Sequence, residues 1–275
     1  MQRKEINIEK AYYESSKMFH GSLINIMGTR FDILITGKSK PESDSLWDKI
    51  VSELCQLDKK LNRFDPSSEL SRINQNASIK SISVTPEMWS ILDSCKQYNR
   101  QTFGLFDITL KDFSKVILSE SDKSIFFTQP DITLDLGGYA KGYALKKINQ
   151  YLINAQVQNC FVDFGNSSIL CIGHHPYGDS WKVSIPNPFN PSENLDEISL
   201  KDEAMSVSGN TPTYSGHIVR PDSKEVVIER KVTSITSSDP LEAEILSTTF
   251  MIANEEEKKR LSENFEIKSF TEYCL

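Results

Sequence analysis

The 275-residue sequence has no long basic cluster, and its formal charge of −7 and isoelectric point near 5.3 argue against a nucleic-acid surface. Any phosphate it binds must therefore meet locally placed glycines, lysines or a metal. The five cysteines, Cys55, Cys95, Cys160, Cys171 and Cys274, are odd in number and contain no Cys-x-x-Cys pair. That pattern points away from a disulfide frame or a zinc site and towards reduced thiols in a cytoplasm. The N-terminal stretch MQRKEINIEKAYYESSKMF has no apolar core and no cysteine, so a secretory or lipoprotein leader is not expected; the expected location is cytoplasmic, with a periplasmic face reserved for a chain that has lost its leader. No stretch approaches the roughly 20 apolar residues of a membrane span. Internal repeats and low-complexity linkers are absent too. With 38% hydrophobic residues and a mean hydropathy of −0.38, the chain is globular in type and long enough to bury a substantial core.

The stretch around which the rest is organised is Ile132 to Ile148, ITLDLGGYAKGYALKKI. Ile132, Leu134 and Leu136 alternate with Thr133 and Asp135, the spacing of a strand; after Gly137-Gly138, Ala140, Ala144 and Ile148 fall on one helical face. A glycine turn at a helix N-terminus exposes backbone N–H groups and suits a phosphate. Lys141, a cation in the first helical turn, opposes the helix dipole unless an anion sits nearby. The alternative is an ordinary strand-to-helix turn with a solvated lysine.

Residues 1–20 are polar and expected as an arm or short helix ahead of a single domain over 21–275. Ile24 to Gly37 reads as a strand or strand pair interrupted at Gly28. Pro41 opens an amphipathic helix with Leu46, Ile50, Leu54, Leu57 and Leu61 on one side. The segment NRFDPSSELSRIN, residues 62–74, is a loop and short helix in which Phe64 either stacks on a ligand ring or plugs the core. Thr85-Pro86 starts a further helix. Cys160 to Gly173 reads as two strands joined at Gly165-Asn166-Ser167. Trp181 to Ile185, Ala204 to Asn210, His217 to Val219 and Lys231 to Ser237 read as strands, which makes the fold mixed α+β rather than a regular βαβ repeat. Near the end, Glu244 and Thr248 lie four apart on an expected helix and share one face. A carboxylate beside a hydroxyl suits a hard cation such as Mg²⁺. The alternative is an amphipathic helix with Leu246 and Phe250 inward and Glu244 solvated.

In order, MGTRFDI, LNRFDPSSELSRIN, TFGLFDIT, LDLGGYAKGYAL, VDFGN, SVSGN, HIVRP and AEILSTT together resemble the FAD:protein FMN transferase family, the ApbE-type flavin transferases, over Gly21 to Ile252. The resemblance implies an α+β, T-fold-like architecture with FAD held in a cleft between lobes. It also implies Mg²⁺-dependent transfer of FMN from FAD to a Thr or Ser hydroxyl of an acceptor protein, with release of AMP. By the same resemblance Met27, Phe64 and Leu105-Phe106-Asp107 hold the flavin or adenine portions. Asp135 bonds the nucleotide, Lys141 meets the pyrophosphate, and His217 and Ile218 sit near the flavin. The Gly138 carbonyl, Glu244 and Thr248, with Ser247 adjacent, stand at the metal positions. The reaction implied has Mg²⁺, held at Glu244, and Lys141 stabilising the leaving group, with His217 orienting the hydroxyl or handling its proton. Three positions depart from the family pattern: Glu244 replaces an aspartate, Arg220 replaces the acid of His-x-x-Asp-Pro, and Gly165-Asn166-Ser167-Ser168 stands where a Gly-Gly-Asp/Asn turn is expected, with an extra residue. Two other outcomes stay open, an FAD-binding paralogue without catalysis and a Mg²⁺-dependent FAD pyrophosphatase.

Overall fold

The computed structural model describes residues 5–213, 215–216 and 218–275. Its frame is an eight-stranded sheet in the order β1 (Asn7–Tyr13), β2 (Met18–Ile26), β3 (Thr29–Thr36), β7 (Asn159–Phe164), β8 (Ser168–Ile172), β11 (Glu203–Gly209), β12 (Lys231–Ser237) and β13 (Ile267–Cys274), every neighbouring pair antiparallel. The polar residues 7–13, expected as an arm or short helix, are instead the edge strand β1. Their exposed side chains reflect an edge whose neighbour on one side is β2 alone. The expected break at Gly28 is a two-residue hairpin turn. Met27 (φ +47°) and Gly28 (φ +78°) both adopt left-handed backbone, as the type I′ turn that matches strand twist requires.

Helices cover one face of the sheet. The helix α1 (Lys40–Leu61) starts at a Ser39–Glu42 capping box and buries Leu46, Trp47, Ile50, Leu54, Leu57 and Leu61, the stripe its spacing predicts. Trp47 packs against Phe19 of β2 and Phe31 of β3, with ring centroids 5.8 and 6.4 Å away. After α2 (Glu69–Asn76) and α3 (Pro86–Gln101, capped by Thr85) come α4 (Ala140–Asn154) and α5 (Pro240–Ile252), which lie side by side over the middle of the sheet. On the opposite face, the hairpin of β9 (Trp181–Pro186) and β10 (Asn194–Leu200) closes a second core against β8, β11 and β12. The strand period is visible in β8: Leu170 faces the helices, whereas Ile169 and Cys171 face the hairpin. A small sheet of β4 (Ile82–Ser83), β5 (Val116–Ser119) and β6 (Ser124–Phe127) and the helix α6 (Glu255–Asn264) complete the chain.

The strand expected at Ile132 to Leu136 does not form. Its side chains alternate buried and outward as the pattern demands, but the segment pairs with no strand. Its backbone is satisfied otherwise. The Leu134 N–H donates to Asn74 Oδ1 at 2.8 Å, Asn74 Nδ2 donates to the Leu134 carbonyl at 3.0 Å, and the Asp135 N–H donates to the Ile108 carbonyl at 2.7 Å. The expected strand at His217 to Val219 is, in its described part, a single bridge between Val219 and Val226.

Candidate active site

A cleft of about 1220 Å³ runs between the β9 strand and the end of the α4–α5 pair. That exceeds the roughly 300–1,000 Å³ of sites for drug-sized ligands, so an extended ligand fits. One wall carries Leu105, Phe106, Asp107, Asp135, Gly138 and Lys141, continued by Glu244 and Thr248; the other carries Phe161, Val183 and Ile185, with Ile218 and Pro221 also in the lining.

The chemistry concentrates where α4 meets α5. A Cβ on Gly142 would stand 2.6 Å from the Glu244 Cβ and 2.9 Å from the Pro240 carbonyl oxygen, so only glycine lets these helices come this close. Gly142→Ala is accordingly expected to cost about 1–3 kcal/mol, seen as a lower urea midpoint. The close approach brings the Lys141 ammonium onto Glu244 Oε1 in a short ion pair. Glu244 is therefore neither solvated nor inert: it is 4% exposed, and its Oε2 accepts the hydroxyls of Ser168 and Ser206, the latter at 3.1 Å. The anion that a lysine in the first turn of α4 calls for is thus present within the protein itself.

One turn further along α5, the Thr248 hydroxyl bonds Ser208 Oγ at 3.1 Å and faces Gly138, whose missing Cβ would lie 3.8 Å from it. Ser247 is the more deeply buried neighbour. It is fully buried, donates to the Glu244 carbonyl at 3.0 Å, bonds the hydroxyls of Ser206 and Ser208, and does not reach the cleft. The serines of β8 and β11 were not singled out as site residues from sequence. Ser206 and Ser208 are two apart in a strand and hence share a face, a signal available in SVSGN.

Asp135 forms an ion pair with Arg63 at 3.0 Å and accepts the Gly137 N–H at 2.9 Å. Arg63 lines the cleft and was missed in favour of its neighbour Phe64. The Phe64 ring is 81% exposed, lies outside the cleft wall, and carries the Arg63 guanidinium 4.7 Å above it. Met27 also stands outside the wall, packed against the main core, while Gly28 and Thr29 line the cleft. Leu105 and Phe106 are buried with one side on the cleft. Asp107 spends its carboxylate locally: Oδ1 accepts the Thr109 N–H and hydroxyl, both at 2.7 Å, and Oδ2 accepts the Phe113 N–H at 2.8 Å. Burial still pushes its carboxyl above the usual range, as it does for Asp163, a wall residue bonded to the Asn166 N–H.

His217 lies outside the described residues. Its neighbour Ile218 is buried in the cleft wall, and Arg220 holds this loop down. The Arg220 guanidinium bonds Glu257 at 2.6 and 3.0 Å, Asp222 at 2.8 and 3.1 Å, and the carbonyl of Ile252 at the end of α5 at 2.7 Å. These hydrogen bonds hold the Glu257 carboxyl below its ordinary range. The basic residue at this position is therefore a clamp between the loop and the α5–α6 junction. Arg220→Ala should cost about 1–3 kcal/mol and open residues 218–230 to limited proteolysis.

The ApbE family profile matches residues 27–124 and 110–270. A Chlamydia muridarum protein named FAD:protein FMN transferase is 24% identical over 213 residues, 67% of this chain and 63% of that protein. A Haemophilus influenzae protein of the same name is 22% identical over 86% of this chain and 81% of its own length. The solved flavin transferase ApbE from Vibrio cholerae superposes with a TM-score of 0.78 at 20% identity, covering 94% of this chain and 97% of that one, and shares the α+β fold. With the profile matched over most of its length and its fold shared, the chain belongs to the ApbE family of flavin transferases.

Proposed function

We propose that the cleft binds FAD and that the protein moves the FMN half onto a Thr or Ser hydroxyl of an acceptor protein, releasing AMP. The observation that carries this reading is the convergence, on one wall of a dinucleotide-sized cleft, of the α4 N-terminus, Lys141 and the carboxylate and hydroxyl of α5. The names of the relatives supply the flavin and the reaction type.

The residues divide the work as follows. The Lys141 ammonium, in the first turn of α4, faces the diphosphate, where charge grows on the phosphate that leaves with AMP. Arg63, held by Asp135, adds a second cation to the same wall. The apolar surface of Leu105, Phe106, Val183 and Ile185 packs the rings and excludes water. His217 is the residue proposed to take the acceptor hydroxyl proton.

The donor set fits magnesium. Glu244 Oε1, the Thr248 hydroxyl and the Gly138 carbonyl are hard oxygens on adjoining elements, and the ammonium already paired with Glu244 marks that oxygen as a seat for a cation. Among the described residues no group of three His, Cys, Asp or Glu forms a complete cage, so substrate phosphate and water would fill the remaining positions. When bound, Mg²⁺ supplies Lewis-acid stabilisation of the diphosphate. A cytoplasmic setting belongs to the same proposal and rests on five free thiols.

The test is product analysis after incubation with FAD and Mg²⁺, with and without a Thr-containing acceptor domain. Transfer predicts AMP formation that depends on the acceptor. AMP with free FMN in its absence indicates a pyrophosphatase, and bound, unchanged FAD indicates a binding protein. If FAD does not bind at all, the reading falls.

A further inference from the structure

The Lys141–Glu244 pair joins residues 103 positions apart, at the one place where Gly142 allows α4 and α5 to touch so closely. It is largely shielded, the side chains being 21% and 5% exposed. The two oxygens of Glu244 have different partners. Ser168 and Ser206 anchor Oε2 to the sheet, and Oε1 is left to a single cation, the ammonium. A carboxylate this buried costs several kcal/mol without a counter-ion, so its seat must be filled while the cleft is empty. The same oxygen belongs to the donor set that fits magnesium. Two cations on one carboxylate oxygen repel; among the described residues Glu244 is the carboxylate with which the ammonium pairs, and a diphosphate at the α4 N-terminus gives it another anion to move to.

We infer that Lys141 is an exchangeable counter-ion: it holds the cation seat of Glu244 in the empty cleft and yields it to a divalent cation when an incoming diphosphate accepts the ammonium. The flexible four-carbon stem of lysine permits the move. Diphosphate and metal then bind with positive coupling, each raising the affinity for the other by the same factor. Lys141 acts here as a positioning residue, through Glu244. The identity of the diphosphate rests on the proposed FAD reading; the occupation of the seat by Lys141 does not.

The experiment uses Mn²⁺ as a paramagnetic probe, titrated into the full chain without nucleotide and followed by electron paramagnetic resonance. Wild type should bind it weakly. Lys141→Met should bind it about tenfold tighter or more, within the ~5–150-fold span of ordinary coupling. The double variant Lys141→Met/Glu244→Gln should fall back to the wild-type level, and Lys141→Arg, which keeps a cation at the seat, should match wild type. Lys141→Gln replaces the methionine variant if circular dichroism shows that it does not fold. Equal affinity in wild type and Lys141→Met, or a gain that survives Glu244→Gln, overturns the inference. Because no nucleotide is present, a failure of the protein to bind FAD would sink the proposed function while leaving this result to be read on its own.

Discussion

Glu244→Ala lowers the stability of the folded chain by about 3–5 kcal/mol, the penalty for leaving half of a buried ion pair without its partner. The loss is large because the Lys141 ammonium loses its counter-ion and the Ser168 hydroxyl its acceptor together, in a region where Ser168 is only 1% exposed, while Ser206 is left with Ser247 Oγ at 3.0 Å. Urea unfolding should show a reduced midpoint with an unchanged slope, since the surface exposed on unfolding is the same. Glu244→Asp should be milder, because the carboxylate survives one methylene short of the serines. An Ala variant as stable as wild type would mean that the network contributes nothing.

Lys141→Met reduces FMN transfer by about 10²–10³-fold, the range observed when one preorganised group facing developing charge is removed. The methionine keeps the length and apolar contacts of the lysine stem and removes only the ammonium. FAD affinity, followed by flavin fluorescence, should weaken less than the turnover rate falls, since in the proposed reaction the charge that Lys141 meets is greatest as AMP departs. The rate is to be compared where circular dichroism shows both proteins folded, because Glu244 also loses its partner. Equal turnover in the variant would remove Lys141 from the mechanism.

Much of this architecture is legible in the sequence where one physical signal dominates. The stripe from Leu46 to Leu61, the Thr85-Pro86 cap and the paired strands around Gly165 each follow from local spacing and capping, and all three form as expected. Ile132 to Leu136 alternates without being a strand. Alternation reports which side chains are buried, not whether a neighbouring strand exists, and here Asn74 supplies the hydrogen bonds that a strand would have supplied. Residues 7–13 were misjudged for the complementary reason: an edge strand is stabilised by backbone pairing with β2, so its side chains need no apolar pattern.

The candidate site follows the same division. The grouping of Gly138, Lys141, Glu244 and Thr248 is what the family resemblance implies, whereas the details of their contacts depend on residues distant in sequence. Glu244 reads either as a cation ligand or as a solvated helix residue until Gly142 and Ser168, far away in sequence, are brought against it. Phe64 drew notice as an aromatic beside a loop, but the neighbouring Arg63 lines the cleft. Arg220 reads as the loss of an acid, and only the position of Glu257 reveals it as a clamp.

Intact mass spectrometry of an acceptor domain shows whether this cleft transfers FMN covalently. After incubation with FAD, Mg²⁺ and the wild-type protein, the acceptor should gain one FMN minus water at a Thr or Ser, with AMP in equal amount and with a strong reduction in the Lys141→Met variant. An unmodified acceptor in the presence of bound FAD would contradict the account.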